Sequence, residues 1–204
     1  MITIINYGAG NVRAFVNVYN YLGIPINIAT QSDDLRKAQK LILPGVGAFD
    51  HAMERLEKSG MRPTLDELVL RGNLPILGVC VGMQMLAHSS EEGVLPGLGW
   101  VDGVVKKMDP KGLIHATRLP HMGWNDVQPV IKDTLFRDFD LIAKFYFLHS
   151  YYFHCNKREE VLAITDYGGR FPSAIRSRNI FGVQFHPEKS HQWGVQLLKN
   201  FASL

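Results

Sequence analysis

The sequence predicts an α/β fold in which a mostly parallel central sheet is flanked by helices. In the first ninety residues, short apolar runs alternate with segments whose apolar residues recur at helical spacing. This alternation is typical of a parallel sheet that is covered on both faces. After residue 93, glycine, proline and aromatic residues become dense, so we expect a β-rich second half. A chain of 204 residues without a linker or repeat is most simply one domain over residues 1–204.

The elements of the first half follow from apolar runs that end in glycine or proline turns. Strands are predicted over residues 2–5, 25–29, 40–43 and 75–79. Helices are predicted from apolar stripes that begin near Val12, Phe49 and Leu65, and a further helix is predicted over residues 83–88.

The second half reads as strands until its last helix. The strand-like segments are residues 145–148, 161–165, 173–176 and 180–185. A helix that carries Val195, Leu198 and Phe201 then closes the pattern.

Composition and charge exclude several classes of protein. No apolar run approaches the roughly 18 residues that a membrane-spanning helix needs, and the first residues lack the features of a signal peptide. Two cysteines do not form a disulfide framework, so we expect a cytoplasmic protein. The basic residues form no long block despite a net charge of +3, which argues against nucleic-acid binding.

Cofactor and metal sites are not expected. The segment GAGNVR (8–13) begins like a dinucleotide fingerprint, but Arg13 stands where the third glycine should be. The eight histidines show no close ligand spacing, so we expect no metal.

The segment GVCVG (78–82) lies where a predicted strand gives way to a predicted helix. This is the setting of a nucleophile elbow in which cysteine replaces serine. The glycines avoid collisions in the tight turn, and the Cys80 thiol projects above the carboxyl end of the strand, where open α/β sheets bind ligands. A helix N-terminus behind the thiol would favour the thiolate. The alternative is a packed structural cysteine, because cysteine is among the most buried residue types.

A cysteine nucleophile needs a base, and the base needs a group that orients it. His186 and Glu188 follow the last predicted strand, where Pro187 allows the carboxylate to turn back towards the imidazole; the alternative is a surface loop. The oxyanion of an acyl-transfer reaction also needs N–H donors. The Val81 amide and the PGVG loop (44–47), whose glycines let the backbone turn towards a ligand, are the candidates.

Together the motifs PGVG (44–47), GVCVGMQ (78–84) and HPE (186–188) resemble the class I, triad-type glutamine amidotransferases. Four further stretches, YGAGN (7–11), PHMGWN (120–125), HSYY (149–152) and FHPEKS (185–190), are similar to the glutaminase subunits of imidazole glycerol phosphate synthases. The resemblance implies a flavodoxin-like amidotransferase fold.

The resemblance also implies roles for individual residues. Cys80 would attack the carboxamide of glutamine with His186 as base and Glu188 as its orienting group. The Val81 amide and an amide of Val46 or Gly47 would meet the oxyanion. Binding of the amino-acid end of glutamine would involve Gln84 and the backbone at Ser150 and Tyr151; as an alternative, Gln84 is an exposed polar residue on a helix.

The implied partner is a TIM-barrel cyclase subunit that receives ammonia in a heterodimer and forms imidazole glycerol phosphate. Three residues match family positions at that interface, namely Asn11, Trp124 and Lys189. Their alternatives are a helix cap, a core aromatic residue and a solvated lysine. Trp124 is the hardest to explain as core, because the sequence around it has neither a strand nor a helix period.

Two other functions remain open at this stage. A paralogous glutaminase with nearly these motifs supplies ammonia to a sugar-modifying amidotransferase in surface-polysaccharide synthesis. A non-catalytic interaction module could keep the same fold, although the retention of Cys80, His186 and Glu188 argues against it. For an enzyme, we further hypothesise that the Val46–Gly47 peptide points the wrong way in the free subunit, so that the loaded partner activates glutamine hydrolysis.

Overall fold

A computed structural model describes residues 1–109, 119–132, 134–139 and 143–204 of the chain. Its strands are β1 (Ile2–Ile5), β2 (Ile26–Ala29), β3 (Lys40–Gly45), β4 (Ile76–Cys80), β5 (Gly103–Lys107), β6 (His121–Pro129), β7 (Ala143–His149), β8 (Tyr151–Cys155), β9 (Val161–Asp166), β10 (Arg170–Ser177) and β11 (Ile180–Val183). Its helices are α1 (Val12–Tyr21), α2 (Ser32–Leu35), α3 (Phe49–Lys58), α4 (Arg62–Asp66), α5 (Val81–Gln84) and α6 (His191–Ala202). The helix α4 continues as a π-helical turn over Glu67–Arg71.

Within the described residues, nine strands form one sheet in the order β2-β1-β3-β4-β11-β10-β9-β6-β7. The strands from β2 to β11 in this order run parallel, and the remaining pairs are antiparallel. Every residue of β1, β4 and β11 is buried. Because successive side chains of a strand point to opposite faces, both faces of the parallel half are covered. The predicted fold class is confirmed.

The β-rich second half extends the central sheet instead of forming a separate layer. Strand β11 lies between β4 and β10, pairing parallel with β4 and antiparallel with β10. A small second sheet, β5 with β8, contacts β10. The parallel strands β3, β4 and β11 end at the same edge of the sheet, and their following turns meet there.

The helix predicted over residues 83–88 is wrong in its bounds, because α5 ends at Gln84. The main chain beyond it is hydrogen-bonded to a later loop: Leu98 N–H donates to the carbonyl of Met85, and Trp100 N–H to that of Leu86. Gly97 lies so close that an added Cβ would stand 2.1 Å from the Ala87 carbonyl oxygen. Tertiary contacts therefore use the groups that a longer helix would have paired internally.

The interpretation of the region around Trp124 as lacking strand structure is also wrong. Trp124 lies in β6 and is paired with Tyr146 of β7. The burial of β6 does not alternate regularly, and Gly123 has a φ of +122°, so the strand carries no clear period in sequence. In the described parts of the chain, no helix has the length and apolar character needed to cross a membrane.

Candidate active site

Cys80 occupies a strained turn between β4 and α5. Its φ is 55° and its ψ −113°, a left-handed conformation that costs free energy in any residue except glycine. An added Cβ on Gly82 would stand 2.0 Å from the Leu43 carbonyl oxygen, and one on Gly78 would stand 2.6 Å from the Gly82 carbonyl oxygen. Only glycine fits at these two positions, which is the backbone arrangement of a nucleophile elbow.

The helix behind the thiol is shorter than expected. Because α5 has 4 residues, it supplies little of the dipole that the sequence suggested would favour the thiolate. The side chain that interacts with the Cys80 thiol is instead the imidazole of His186.

His186 lies between Cys80 and Glu188. Its Nδ1 is 2.9 Å from Oε1 of Glu188, so Nδ1–H donates to the carboxylate. Burial alone would lower the pKa of His186, but hydrogen bonds and charge interactions with Cys80 and Glu188 raise it to about 10. All three side chains are almost fully buried, with the His186 and Glu188 side chains only 3% and 2% exposed. The two neighbours of the ring therefore favour the protonated form of His186.

Two further groups contact the thiol. Nε2 of Gln184 is 3.7 Å from Cys80 Sγ, and the Leu148 carbonyl oxygen is 3.9 Å away. Gln184 is fully buried on the strand-to-turn segment that leads to His186. Gln184 was missed from sequence; the signal that could have found it is a polar residue inside an otherwise apolar strand end, two positions before the histidine.

The thiol opens into a cavity of about 330 Å³ at the carboxyl edge of the parallel strands. The residues that line it are Val46, Gly47, Cys80, Val81, Gln84, Glu92, Pro120, Leu148, His149, Ser150, Tyr151, His186 and Lys189. A larger cavity, of about 630 Å³, lies near Asn179 and Ile180 at the opposite end of β11 and contains none of the predicted site residues. Of these two cavities, the smaller one is lined by the predicted catalytic residues Cys80 and His186.

Gln84 is buried and its amide nitrogen is fully used by the protein. Nε2 donates to the Tyr151 carbonyl at 3.0 Å and to Oε1 of Gln184 at 3.1 Å. The atom of Gln84 that can meet a ligand is therefore its acceptor, Oε1. The prediction that Gln84 could be an exposed polar residue on a helix is wrong, since only 2% of it is exposed.

The loop after β3 forms the opposite wall. Gly47 has a φ of +84°, and Val46 is 41% exposed at the cavity. The start of α3, which follows this loop, is held by a carboxylate: Oε2 of Glu92 accepts a hydrogen bond from Phe49 N–H at 2.9 Å. Glu92 was also missed from sequence, because it lies in a loop without a recognisable motif.

The predicted partner residues lie around this edge but do not form one cluster. Lys189 lines the cavity, with its Nζ 5.8 Å from the centre of the Tyr146 ring. Trp124 is 48% exposed, stacks on His191 and meets Tyr146 edge-on. Asn11 is exposed and caps α1 by accepting from Ala14 N–H at 3.3 Å.

Cys155, the other cysteine, lies at the end of β8, outside the cavity lining. Burial, assisted by the negative charge of Glu160, raises the pKa of its thiol to about 12. In the part of the chain that the structure describes, no group of three or more His, Cys, Asp or Glu side chains could hold a metal ion.

The fold and the sequence define the class of protein. A family model for glutamine amidotransferase class-I matches residues 3–203. A solved structure of a glutamine amidotransferase superposes with a TM-score of 0.75 at 20% identity, covering 100% of this chain and 99% of that one. The PurLQS structure from Thermotoga maritima gives a TM-score of 0.73 at 19% identity, covering 99% and 97% of the two chains. The chain belongs to the class-I glutamine amidotransferase family.

Relatives that match over their full length share one subunit name within this class. A protein of Bdellovibrio bacteriovorus named imidazole glycerol phosphate synthase subunit HisH is 54% identical over 204 residues, which are 100% of both chains. A protein of the same name from Leptospira borgpetersenii is 48% identical, again over 100% of both chains. The similarity to proteins of this name therefore extends over the whole of the given sequence and is not confined to the motifs of the site.

Proposed function

We propose that this chain is the glutaminase subunit of an imidazole glycerol phosphate synthase, an enzyme of histidine biosynthesis. The single observation that carries the chemistry is the buried His186–Glu188 pair beside a cysteine held in a strained elbow, facing a cavity of about 330 Å³. We take residues 1–204 as one amidotransferase domain, and we place the enzyme in the cytoplasm.

The reaction begins when Cys80 Sγ, whose proton has passed to His186, attacks the carboxamide carbon of glutamine. Glu188 holds the imidazole in position and stabilises the imidazolium. The Val81 amide and an amide of Val46 or Gly47 donate to the oxyanion. When the C–N bond breaks, His186 returns its proton to the leaving nitrogen, which departs as ammonia. Water then loses a proton to His186, attacks the thioester, and releases glutamate and the thiol.

The amino-acid end of glutamine binds beside Gln84. Since only Oε1 of Gln84 is left to meet a ligand, it accepts from the α-ammonium group, and the Glu92 carboxylate at the same cavity supplies the opposite charge. The backbone at Ser150 and Tyr151 completes this end of the site. The size of the cavity suits a small amino acid.

Ammonia that leaks into water becomes ammonium and is lost as a nucleophile. We propose that a TIM-barrel cyclase subunit covers the carboxyl edge of the sheet and receives ammonia, giving imidazole glycerol phosphate and aminoimidazole carboxamide ribotide. Trp124, Lys189 and Asn11 contribute to this interface. The exposed Trp124 and the cavity position of Lys189 support the assignment.

The names of the full-length relatives favour this acceptor over the sugar-modifying amidotransferase of the paralogous glutaminases. They also disfavour a non-catalytic interaction module. Complementation of a histidine auxotroph tests the acceptor directly: growth is expected, and failure of an expressed, folded subunit paired with its own cyclase would contradict the pathway.

The test of the chemistry is glutamate release by wild type, Cys80→Ala and Cys155→Ala, each alone and with the cognate cyclase and its substrate. We expect the wild type alone to release glutamate slowly and the loaded complex to release it about 10²–10³-fold faster, which is the typical effect of one oxyanion donor on the rate. Cys155→Ala should behave as wild type and Cys80→Ala should stay at background. Equal wild-type turnover with and without partner would contradict the activation; turnover by Cys80→Ala would overturn the nucleophile.

A further inference from the structure

Two buried histidines take no part in the proposed chemistry: His149 lines the cavity, and His121 lies behind it. Nδ1 of His121 is 2.9 Å from Nε2 of His149, and Nδ1 of His149 is 2.8 Å from the Tyr151 carbonyl oxygen. At the other end, Nε2 of His121 is 3.1 Å from the amide nitrogen of Asn125. The four groups form one continuous hydrogen-bonded chain.

The direction of this chain follows from its two ends. A carbonyl oxygen can only accept, so Nδ1 of His149 carries the proton and, in the neutral ring, Nε2 accepts. His121 must then donate through Nδ1 and accept through Nε2. Asn125 can supply the required donor, because its Oδ1 accepts from Asp126 N–H at 2.8 Å, which fixes the amide orientation. Both rings are therefore neutral Nδ1–H tautomers.

The surroundings hold the pair in this state. His121 is stacked between Phe147 and Tyr167, with ring centroids 4.5 Å and 3.9 Å away. Burial lowers the pKa of His121 to about 4, and burial together with electrostatic interactions with His121 and His186 lowers the pKa of His149 to about 3. A charged ring would lack a second acceptor here, so neutrality agrees with the geometry.

The chain ends on a carbonyl that also anchors Gln84. The Tyr151 oxygen accepts from His149 and from Gln84 Nε2, so both of its lone pairs are used. The neighbouring Ser150 carbonyl accepts from Met108 N–H at 3.0 Å. The proton that His149 donates therefore helps to fix the Tyr151 carbonyl and, through it, the side-chain position of Gln84.

We propose that His121 and His149 are positioning residues for glutamine: the pair, locked in Nδ1–H tautomers, holds the Tyr151 carbonyl and through it Gln84 in place for the amino-acid end of the substrate. This inference rests on the proposed function. The nucleophile has other supports, namely Gln184 against Cys80 and Glu188 against His186. Loss of the pair should therefore affect glutamine binding more than the chemical step.

Two substitutions of His149 distinguish the roles of its two ring nitrogens. In His149→Asn the amide nitrogen overlies Nδ1 and keeps the donor to Tyr151, whereas in His149→Gln the amide overlies Nε2 and keeps only the contact with His121. In the complex with the loaded cyclase, we expect His149→Gln to raise the KM for glutamine roughly tenfold, the loss of one hydrogen bond, with kcat little changed. His149→Asn should stay close to wild type. A role in packing alone predicts the reverse order, because glutamine is nearer to histidine in size.

The tautomers can also be measured without any substitution. Nitrogen-15 NMR of histidine-labelled wild type at neutral pH should show His121 and His149 protonated at Nδ1 and bare at Nε2. An Nε2–H tautomer of His149 would overturn the inference, as would equal KM values in the two variants when the wild-type complex is active. No glutaminase activity in the wild-type complex would instead overturn the proposed function, leaving the NMR result to decide the inference.

Discussion

Cys80 and Cys155 are the same chemical group in two different environments. Cys80 faces an imidazole and opens to a cavity, whereas burial raises the pKa of the Cys155 thiol to about 12. Since the thiolate is the reactive form, iodoacetamide at neutral pH should alkylate Cys80 and spare Cys155. Peptide mapping by mass spectrometry checks this, with Cys80→Ala as the control that should remain unlabelled. Modification of Cys155 at a comparable rate would contradict the prediction.

The buried histidine pair predicts sensitivity to acid. Both pKa values are depressed from 6.5, to about 4 for His121 and about 3 for His149, so between these values and 6.5 the unfolded chain binds more protons than the folded one. The free energy of unfolding therefore rises with pH in this range and is lost as pH falls.

Urea unfolding at pH 5, 6 and 7 measures this slope. The double variant His121→Asn/His149→Asn, which lacks both imidazoles, should show a shallower dependence on pH than wild type. All other titrating groups are common to both proteins and cancel in the comparison. Parallel stability curves would exclude the pair as a source of acid sensitivity.

At the scale of single elements, the turn from β4 to α5 depends on glycine. A Cβ on Gly82 would stand 2.0 Å from a backbone oxygen that cannot move without displacing β3. We expect Gly82→Ala to lower the free energy of unfolding by about 3 kcal/mol or more, the upper range for overpacking. Urea unfolding measures the loss.

Gly60→Ala is the control for a glycine substitution that causes no crowding. Gly60 has a positive φ, +69°, whereas Gly82 is a helical residue of α5, and an added Cβ on Gly60 would meet nothing within 4 Å. Its cost should be the backbone strain alone, about 1–2 kcal/mol. Equal losses in the two variants would show that crowding at the elbow is not the cause.

Most elements were predictable because the apolar pattern that indicates each of them lies within the element itself. The buried strands β1, β3 and β4 are apolar runs, and α1, α3 and α6 carry apolar stripes. The early end of α5 was not predictable, since it depends on a loop more than ten residues further on. The insertion of β11 between β4 and β10 is likewise a property of the assembled sheet that no local pattern carries.

The residues of the candidate site that could be predicted from sequence are those that lie in motifs. Cys80, His186 and Glu188 lie in segments whose spacing suggests their chemistry, and their roles stay predictions. Gln184 and Glu92 are different, because each is defined by what it contacts: the Cys80 thiol in one case and the first amide of α3 in the other. Such contacts join segments that are distant in sequence, so no residue spacing indicates them.

At the scale of the whole molecule, the cavity edge presents an aromatic residue to solvent. Trp124 is 48% exposed beside Tyr146 and His191. Buried aromatic anchors carry much of the free energy of protein association, so Trp124→Ala should weaken cyclase binding at least about tenfold. Isothermal titration calorimetry measures the dissociation constant.

Tyr21→Ala provides the control for surface aromatics in general. Tyr21 is 81% exposed at the last residue of α1, away from the end that Asn11 caps. Its removal should leave cyclase affinity unchanged. If both variants bind as wild type does, the partner does not cover the edge that contains Trp124.

The place of β11 also matters for how the protein is made. It is the last of the described strands in sequence, yet it lies between β4 and β10. A nascent chain leaving the ribosome therefore cannot close its sheet until residues 180–183 have emerged. Between the synthesis of Cys80 and that of His186, the thiol exists without its proposed base, so during this part of translation the nascent polypeptide has no complete triad.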